Sequence, residues 1–397
     1  MPDFDIFNLL SPNIQQFIDK HLNYNLQQLA LKKNPFPEID FKLILNQIET
    51  KNKSKNKLPT WYNTQNILFP SKLSIEQTSS EITANYKSKL LNINSLVDIT
   101  GGFGIDAFYF SKKIEKVFYV EKQEDLVTIV KHNYVQLNAL NIECYLDDGL
   151  EFLDKNQLKV DAIYIDPARR NENINKVFLW EDCTPNIIEN KEKYFDYANV
   201  LMVKTSPLFD INLGIKILKN VKEIHIVGIE NEVKELLWIL EKNYISKPKI
   251  FAVNIKKNQE DILESIDYNN EIEYSQPLKY LYEPNASLMK MGNFKTIAHS
   301  FNLKKLQINS HLFTSNELIE FMGRIFEIET IIPYNKNIIN QTLKGKKVNI
   351  TTRNFPETVA EIKQKFNLKD GGEDYCFFTT LLNNEKNVLL CKKINTP

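Results

Sequence analysis

At 397 residues, with 43% hydrophobic and 25% charged side chains, the chain has the composition of a globular protein of two to three domains, which excludes wholesale disorder and a collagen-like repeat. Fifty Lys and Arg against fifty Asp and Glu leave no net charge. Four cysteines without a C-x-x-C pair and five scattered histidines exclude a disulfide framework and give no metal-ligand spacing, so no metal is expected.

The N-terminus, MPDFDIFNLL, has no basic leader, and no window reaches 18 apolar residues; a cytoplasmic chain without a membrane span is the expectation. Residues 1–75 read as a helical segment. Ser11 followed by Pro12 is a cap with proline at the first helical position, and Ile39, Phe41, Leu43, Ile44 and Ile48 recur at helical spacing. The lysine-rich run at 51–57 reads as a solvated loop.

Between 96 and 256 short apolar runs alternate with helical stretches. Strands are expected at 96–100, 117–121, 142–146, 161–165, 198–203, 223–229 and 250–256, with helices near 104–113, 123–139, 149–154, 208–219 and 230–242. Such alternation specifies an α/β chain with a seven-stranded, doubly wound sheet, whose strands end on one ligand-binding rim. The C-terminal part reads as small α+β domains. Strands are expected at 325–333 and 347–353, a helix at 357–367 behind Pro356, and a hairpin at 375–381 and 387–393.

Charge is uneven along this path. Residues 88–276 hold 23 basic and 31 acidic side chains, whereas residues 277–397 hold 17 and 11. Only four residues are arginine, so the adjacent pair Arg169-Arg170 stands out, as do three of the eleven glycines falling at 101, 102 and 104.

Asp98-Ile99-Thr100-Gly101-Gly102-Phe103-Gly104 follows a strand and opens a helix, where bare backbone can approach a ligand. Gly102 to Ala107 also satisfies a dinucleotide fingerprint, and Glu121, at the end of the next strand, suits ribose hydroxyls in either case. An acid within the parent strand, Asp98, suits a ligand bearing an ammonium group and would repel a pyrophosphate, which favours S-adenosylmethionine over NAD. A nicotinamide oxidoreductase would further need a proton-relay histidine near a strand end, and none is there. Asp148 closes the third strand in position for an adenine amino group. Asp166-Pro167-Ala168-Arg169-Arg170 closes the fourth and is similar to the D/N-P-P-x motif of amino-group methyltransferases.

With these stretches, and with KLPTW (57–61), EQTSSEITANYK (76–87), EDCTP (181–185), KTSP (204–207), YLYEPNASLMK (280–290), NITTRNFP (349–356) and KDGGEDYCFFTT (369–380), the chain resembles a bacterial family. It is the family of class I S-adenosylmethionine-dependent methyltransferases carrying C-terminal ferredoxin-like and THUMP-like domains, and the resemblance implies domain limits of 1–75, 76–276, 277–323 and 324–397. The likeness spans nearly the whole chain; Thr100 departs from it, standing where the class has the first glycine of its loop.

The resemblance implies methyl transfer from S-adenosylmethionine to a base nitrogen of RNA, rRNA or tRNA. It implies a cofactor site of Asp98, Thr100, Gly101, Gly102, Gly104, Glu121 and Asp148, joined by Thr78, Ser79 and Ser80 unless these serve only as a helix cap. Asp166, Pro167, Ala168, Arg169 and Arg170 would face the target. Trp180, Phe178 and Tyr164 are possible stacking surfaces, and Lys204 and Ser206 secondary substrate contacts at the fifth strand's end. KTSPLFD holds no cysteine, which favours nitrogen over carbon as acceptor. Lys344, Lys346, Lys347 and Arg353 are the expected RNA-gripping charges. A methyltransferase acting on protein or a small molecule, and a non-catalytic binding protein on the same fold, are the alternatives.

Overall fold

The computed structural model describes residues 6–169, 180–257 and 259–394. Two compact units divide the chain, Met1–Lys222 with Leu237–Pro248, and Glu223–Leu236 with Lys249–Pro397.

The first unit begins with helices α1 (Pro12–His21), α2 (Leu26–Ala30), α3 (Phe41–Lys57), α4 (Pro59–Asn63), α5 (Lys72–Gln77) and α6 (Glu81–Ser88). The loop expected at 51–57 is instead the last turns of α3. Asp40 caps that helix by accepting the Lys42 N–H, and the lysines find local partners: Lys51 on Asp19, Lys53 on Glu76, and Lys57 on the carbonyls of Ile75 and Glu76. The run is therefore the polar face of a helix.

Alternating elements follow: β1 (Ser95–Asp98), α7 (Ile105–Ser111), β2 (Lys116–Glu121), α8 (Glu124–Gln136), β3 (Ile142–Leu146), α9 (Gly149–Asn156) and β4 (Val160–Ile165). A short ribbon, β5 (Ala168–Arg169) against β6 (Cys183–Thr184), leads to α10 (Ile187–Tyr197), β7 (Ala198–Thr205) and α11 (Ile211–Leu218). β7, β4, β1, β2 and β3 lie side by side in that order and all pair in parallel. Leu96, Val97, Val117, Tyr119, Ala162 and Ile163 are wholly buried, so both faces of this sheet are covered, as parallel strands require.

One expectation fails here. Residues 230–242, read as a helix, contain β9 (Glu232–Glu241), which follows β8 (Val221–Ile229) directly. Glu230 and Asn231 turn the chain at φ of 47° and 69°, the left-handed pair a two-residue hairpin turn demands. The run Leu236–Leu240 is buried residue after residue, a pattern that fits an interior strand and not a one-sided helix. β9 lies beside β7 in the first unit and beside β8 in the second.

In the second unit β8 pairs in parallel with β10 (Lys249–Lys256), which pairs antiparallel with β11 (Gln259–Glu264). The α/β class and the parallel-rich sheet are as read from sequence, but the expected count of seven strands falls short, because 232–241 and 259–264 form the additional strands β9 and β11.

A second sheet joins β12 (Tyr280–Pro284), β13 (Lys304–Lys305), β14 (Phe313–Ser315), β15 (Gly323–Pro333), β16 (Asn349–Arg353), β17 (Asp374–Thr380) and β18 (Lys386–Ile394), in the order β13-β14-β12-β15-β18-β17-β16. Around it lie α12 (Ala286–Met291), α13 (Phe294–Ser300), α14 (Lys336–Leu343) and α15 (Val359–Phe366), the last opened by a capping box of Thr358 and Glu361. Phe326, Phe377 and Leu389 fill one side of this sheet, and Ile362, Phe366 and Phe378 the other. The expected hairpin and the strands at 325–333 and 347–353 all lie in it. Among the described residues no helix is long and apolar enough to cross a membrane.

Candidate active site

The glycine loop leaves β1 at Asp98 and enters α7 at Gly104. Its backbone continues the sheet's pairing, with Ile99 N–H on the Tyr164 carbonyl at 3.2 Å and Gly101 N–H on the Val120 carbonyl at 3.0 Å. Packing demands glycine at two places. A Cβ at Gly101 would stand 2.3 Å from the Tyr119 ring, and one at Gly104 would stand 2.3 Å from the Tyr134 hydroxyl. Gly102 and Gly104 also hold φ of 54° and 76°.

Glu121 closes β2 beneath the loop. One carboxylate oxygen accepts the Gly102 N–H at 2.9 Å and the other accepts the N–H groups of Lys122 and Gln123 at 2.8 and 2.9 Å. The acid is thus aimed by three backbone donors, with lone pairs left for hydroxyl donors. Asp148 closes the turn after β3. Its side chain caps α9 through the N–H groups of Leu150 and Glu151 and meets Lys122 at 2.6 Å. Burial would raise its pKa, but the Lys122 bond and the two backbone N–H groups hold it below the usual aspartate value.

A chain of contacts links the loop to the end of β4. Thr100 Oγ1 accepts the Asp166 N–H at 2.7 Å and donates to Asp98 at 3.3 Å, while the Thr100 N–H also reaches Asp98 at 3.0 Å. Asp98 is buried, and that burial, with Asp106 and Asp166 nearby, pushes its pKa well above the ordinary value despite the Thr100 bonds. On its far side, the Asp166 carboxylate receives the ammonium of Lys204, from the end of β7.

Behind the loop lies a buried polar cluster. Lys87, from α6, is wholly buried and stands 2.9 Å from Asp106 in the first turn of α7. The second Asp106 oxygen accepts from Ser79 at 2.7 Å and from Tyr164 at 2.9 Å, and Lys87 donates to Ser79 at 2.7 Å. Burial works against the Asp106 charge, yet Lys87 and Lys204 prevail and hold its pKa below normal. Beside Asp148 a cavity of about 220 Å³ opens, walled by Ile99, Leu150, Asn190 and Tyr194 among others.

Two family models match the C-terminal part, a ferredoxin-like domain over residues 280–321 and a THUMP domain-like module over 323–393. A crystal structure of a candidate methyltransferase from Porphyromonas gingivalis W83 superposes with a TM-score of 0.83 at 31% identity, covering 99% of this chain and 100% of that one. The chain belongs to the class I methyltransferase family with C-terminal ferredoxin-like and THUMP-like domains. Weaker likenesses include an rRNA methylase from Streptococcus thermophilus (16% identity, TM-score 0.30, covering 42% of this chain and 95% of that one). Another is M. capricolum TrmK, solved with S-adenosyl-homocysteine (17% identity, TM-score 0.33, covering 42% and 70%). No curated protein sequence matches this methyltransferase family member.

The methyltransferase fold brings Asp98, Thr100, the glycines, Glu121, Asp166, Pro167 and Lys204 to one rim of the sheet. Asp148 is there too, but spends one oxygen on the helix cap. Ser79 faces Asp106 and Lys87, and Ser80 is the residue that caps α6, through the Thr83 N–H. Ser206 accepts the Leu208 N–H in the turn after β7. Trp180 is corrected: it is 1% exposed and packs edge-on against Phe209 and Trp238 at 4.9 and 5.3 Å, a core residue with no face open to a base. Ala168 and Arg169 form β5, in register with Thr184 and Cys183, whereas Arg170 and Phe178 lie outside the described residues. The sequence reading missed Lys87 and Asp106 as a pair. The legible signal was an acid inside the otherwise apolar helix start Ile105–Phe110, a position that demands a buried partner. Among the described residues no group of three or more metal-ligating side chains forms.

Proposed function

We propose that this protein transfers a methyl group from S-adenosylmethionine to a base nitrogen of RNA, rRNA or tRNA, with residues 76–276 as the catalytic domain. The observation that carries the reading is the Asp98-Thr100-Asp166-Lys204 chain, which ties the glycine loop to the D-P-A-R-R motif on one rim.

The residues fit the cofactor. Side chains are excluded at Gly101 and Gly104 by the Tyr119 ring and the Tyr134 hydroxyl, so bare backbone borders the loop, and Glu121 is held by three N–H groups in an attitude suited to ribose hydroxyls. Asp98, Thr100 and Gly102 would hold the methionine end, Glu121 the ribose, and Asp148 the adenine side. When bound, the cofactor supplies a methyl group on a cationic sulfur.

Such a displacement needs little covalent help, so the protein's work is to position the acceptor. The Asp166 carboxylate and Pro167 carbonyl can accept the N–H groups of an exocyclic amine and draw its lone pair out of the ring. Lys204 fixes the Asp166 carboxylate, and the Thr100 hydroxyl fixes its backbone. RNA as acceptor is supported by the THUMP domain-like match and by 17 basic against 11 acidic residues over 277–397.

The test is calorimetry of the protein with S-adenosylhomocysteine and with NADH, followed by label transfer from S-adenosylmethionine to total cellular RNA, to protein and to a small-molecule fraction. Binding of the first ligand and label in RNA are expected; label in protein or small molecules alone overturns the choice of acceptor.

A further inference from the structure

We infer that Arg324 and Arg353, aligned by the Glu283 carboxylate, form a binding site in the second unit for a dianionic phosphate group, borne by the end of an RNA chain or free; the RNA source rests on the acceptor reading above. Three stretches that the catalytic rim leaves unused meet here. Glu283 belongs to YLYEPNASLMK and stands opposite Arg324 in the β12–β15 register, Arg353 belongs to NITTRNFP, and Thr379, its register partner on β17, belongs to KDGGEDYCFFTT. The Arg324 Nε donates to one Glu283 oxygen at 2.6 Å and the Arg353 Nη2 to the other at 2.9 Å. Glu283 itself is buried, whereas the two arginine side chains remain 37% and 36% exposed.

One carboxylate cannot saturate two guanidinium groups. The Nη1 of each makes no hydrogen bond among the described residues, so the pair presents N–H donors already held in position, the arrangement that suits the oxygens of a phosphate. The charge around them is also unbalanced. Lys305 is buried, with its ammonium on the Ile308 carbonyl and 4.7 Å from the centre of the Phe294 ring, and it has no carboxylate partner among the described residues. Asn354, next to Arg353, donates to Gln307 at 3.0 Å and so fastens the end of β16 to the loop after Lys305. His311 stacks on the same Phe294 ring at 3.9 Å and feels both charges: burial first, then Lys305 and Arg353, hold its pKa below the usual value, so it stays neutral. Burial lowers the Lys305 pKa only to about 8, which leaves the amine mostly protonated at neutral pH. Three cations, Arg324, Arg353 and Lys305, against the single Glu283 leave a surplus of two positive charges. A phosphate monoester or inorganic phosphate carries about −1.5 to −2 at pH 7 and matches that surplus, while an internal phosphodiester carries about −1 and does not. Lys305, being buried, contributes through its field, and the contacts fall to the arginines.

The experiment is calorimetry of the full chain with a short oligoribonucleotide ending in a 5′-phosphate, with the same oligonucleotide ending in a 5′-hydroxyl, and with inorganic phosphate. The parent should bind the phosphorylated end about tenfold more tightly than the hydroxyl end, and inorganic phosphate should compete for it. Arg324→Gln should abolish the preference, and Arg324→Lys, which keeps the charge but loses the fork, should retain part of it. Lys305→Met should reduce the preference as well and serves if Arg324→Gln lowers the melting temperature. Binding of inorganic phosphate that Arg324→Gln weakens, without a preference between the two RNA ends, supports the site and assigns it to free phosphate. Equal affinity for the two ends with no binding of inorganic phosphate overturns the inference, as does a preference that survives in both Arg324→Gln and Lys305→Met. S-adenosylhomocysteine binding, read on the same samples, should be unchanged in every variant, so failure of the phosphate site leaves the methyl-transfer reading standing.

Discussion

Lys87 meets Asp106 at 2.9 Å with its own side chain wholly buried, and the pair is sealed by Ser79 and Tyr164 behind the glycine loop. Removing one partner of such a pair strands a buried charge, which costs about 3–5 kcal/mol. Lys87→Met should therefore lower the melting temperature sharply. Asp106 has a folded pKa below its unfolded 3.8, so its contribution is present above that value and is lost as pH falls through the folded one. Urea melts of parent and Lys87→Met should accordingly converge only in strong acid; a constant gap down to pH 2 would contradict this account.

Gly101→Ala forces a methyl into the Tyr119 ring, 2.3 Å from the nearest carbon. Either the loop or the ring must shift. Overpacking of this kind costs about 1–3 kcal/mol, and S-adenosylhomocysteine affinity should fall along with stability. Retained affinity with a lowered melting temperature would separate the loop's packing from binding.

Glu121→Ala removes the acceptor aimed by Gly102, Lys122 and Gln123. Loss of charge-assisted bonds worth about 1.5–3 kcal/mol predicts S-adenosylhomocysteine binding weaker by roughly ten- to 150-fold in calorimetry. An unchanged constant would remove the ribose assignment.

Asp166→Ala should leave cofactor affinity within a few-fold while turnover drops by orders of magnitude, because its acceptor matters as charge develops on the amine. Lys204→Met should lower turnover less, since it acts through Asp166. Single-turnover methylation read beside calorimetry checks both. Collapse of binding with chemistry intact would reverse the roles.

The RNA-gripping set needs revision before it is tested. Arg353 is tied to Glu283, buried to 3% exposure and also held by Arg324, so its removal would disturb a structural ion triad. Lys344, Lys346 and Lys347 are exposed. Their replacement by glutamine should reduce the slope of log affinity for RNA against log salt by about 0.7–0.9 for each phosphate that is no longer neutralised, with S-adenosylhomocysteine binding intact. Filter binding between low and physiological salt measures it; an unaltered slope would take RNA off this surface.

The alternation of apolar runs with helical stretches was enough to specify the parallel sheet, because strand and helix periods are local properties of a sequence. The glycine loop, Glu121 and Asp166 were legible for the same reason: each sits at a strand end that the pattern itself marks. The strand at 232–241 was not. Its five consecutive apolar residues satisfy a buried helix or a buried strand equally, and only lateral pairing beside β7 decides between them. Trp180 belongs to the core because Phe209 and Trp238 arrive from distant segments to enclose it. Asp106, an acid in an apolar helix start, announced that a buried partner was needed, but not that the partner is Lys87. A charge or hydroxyl declares its partner only when the fold has taken away its water, and that desolvation is a property of tertiary packing that no local pattern encodes.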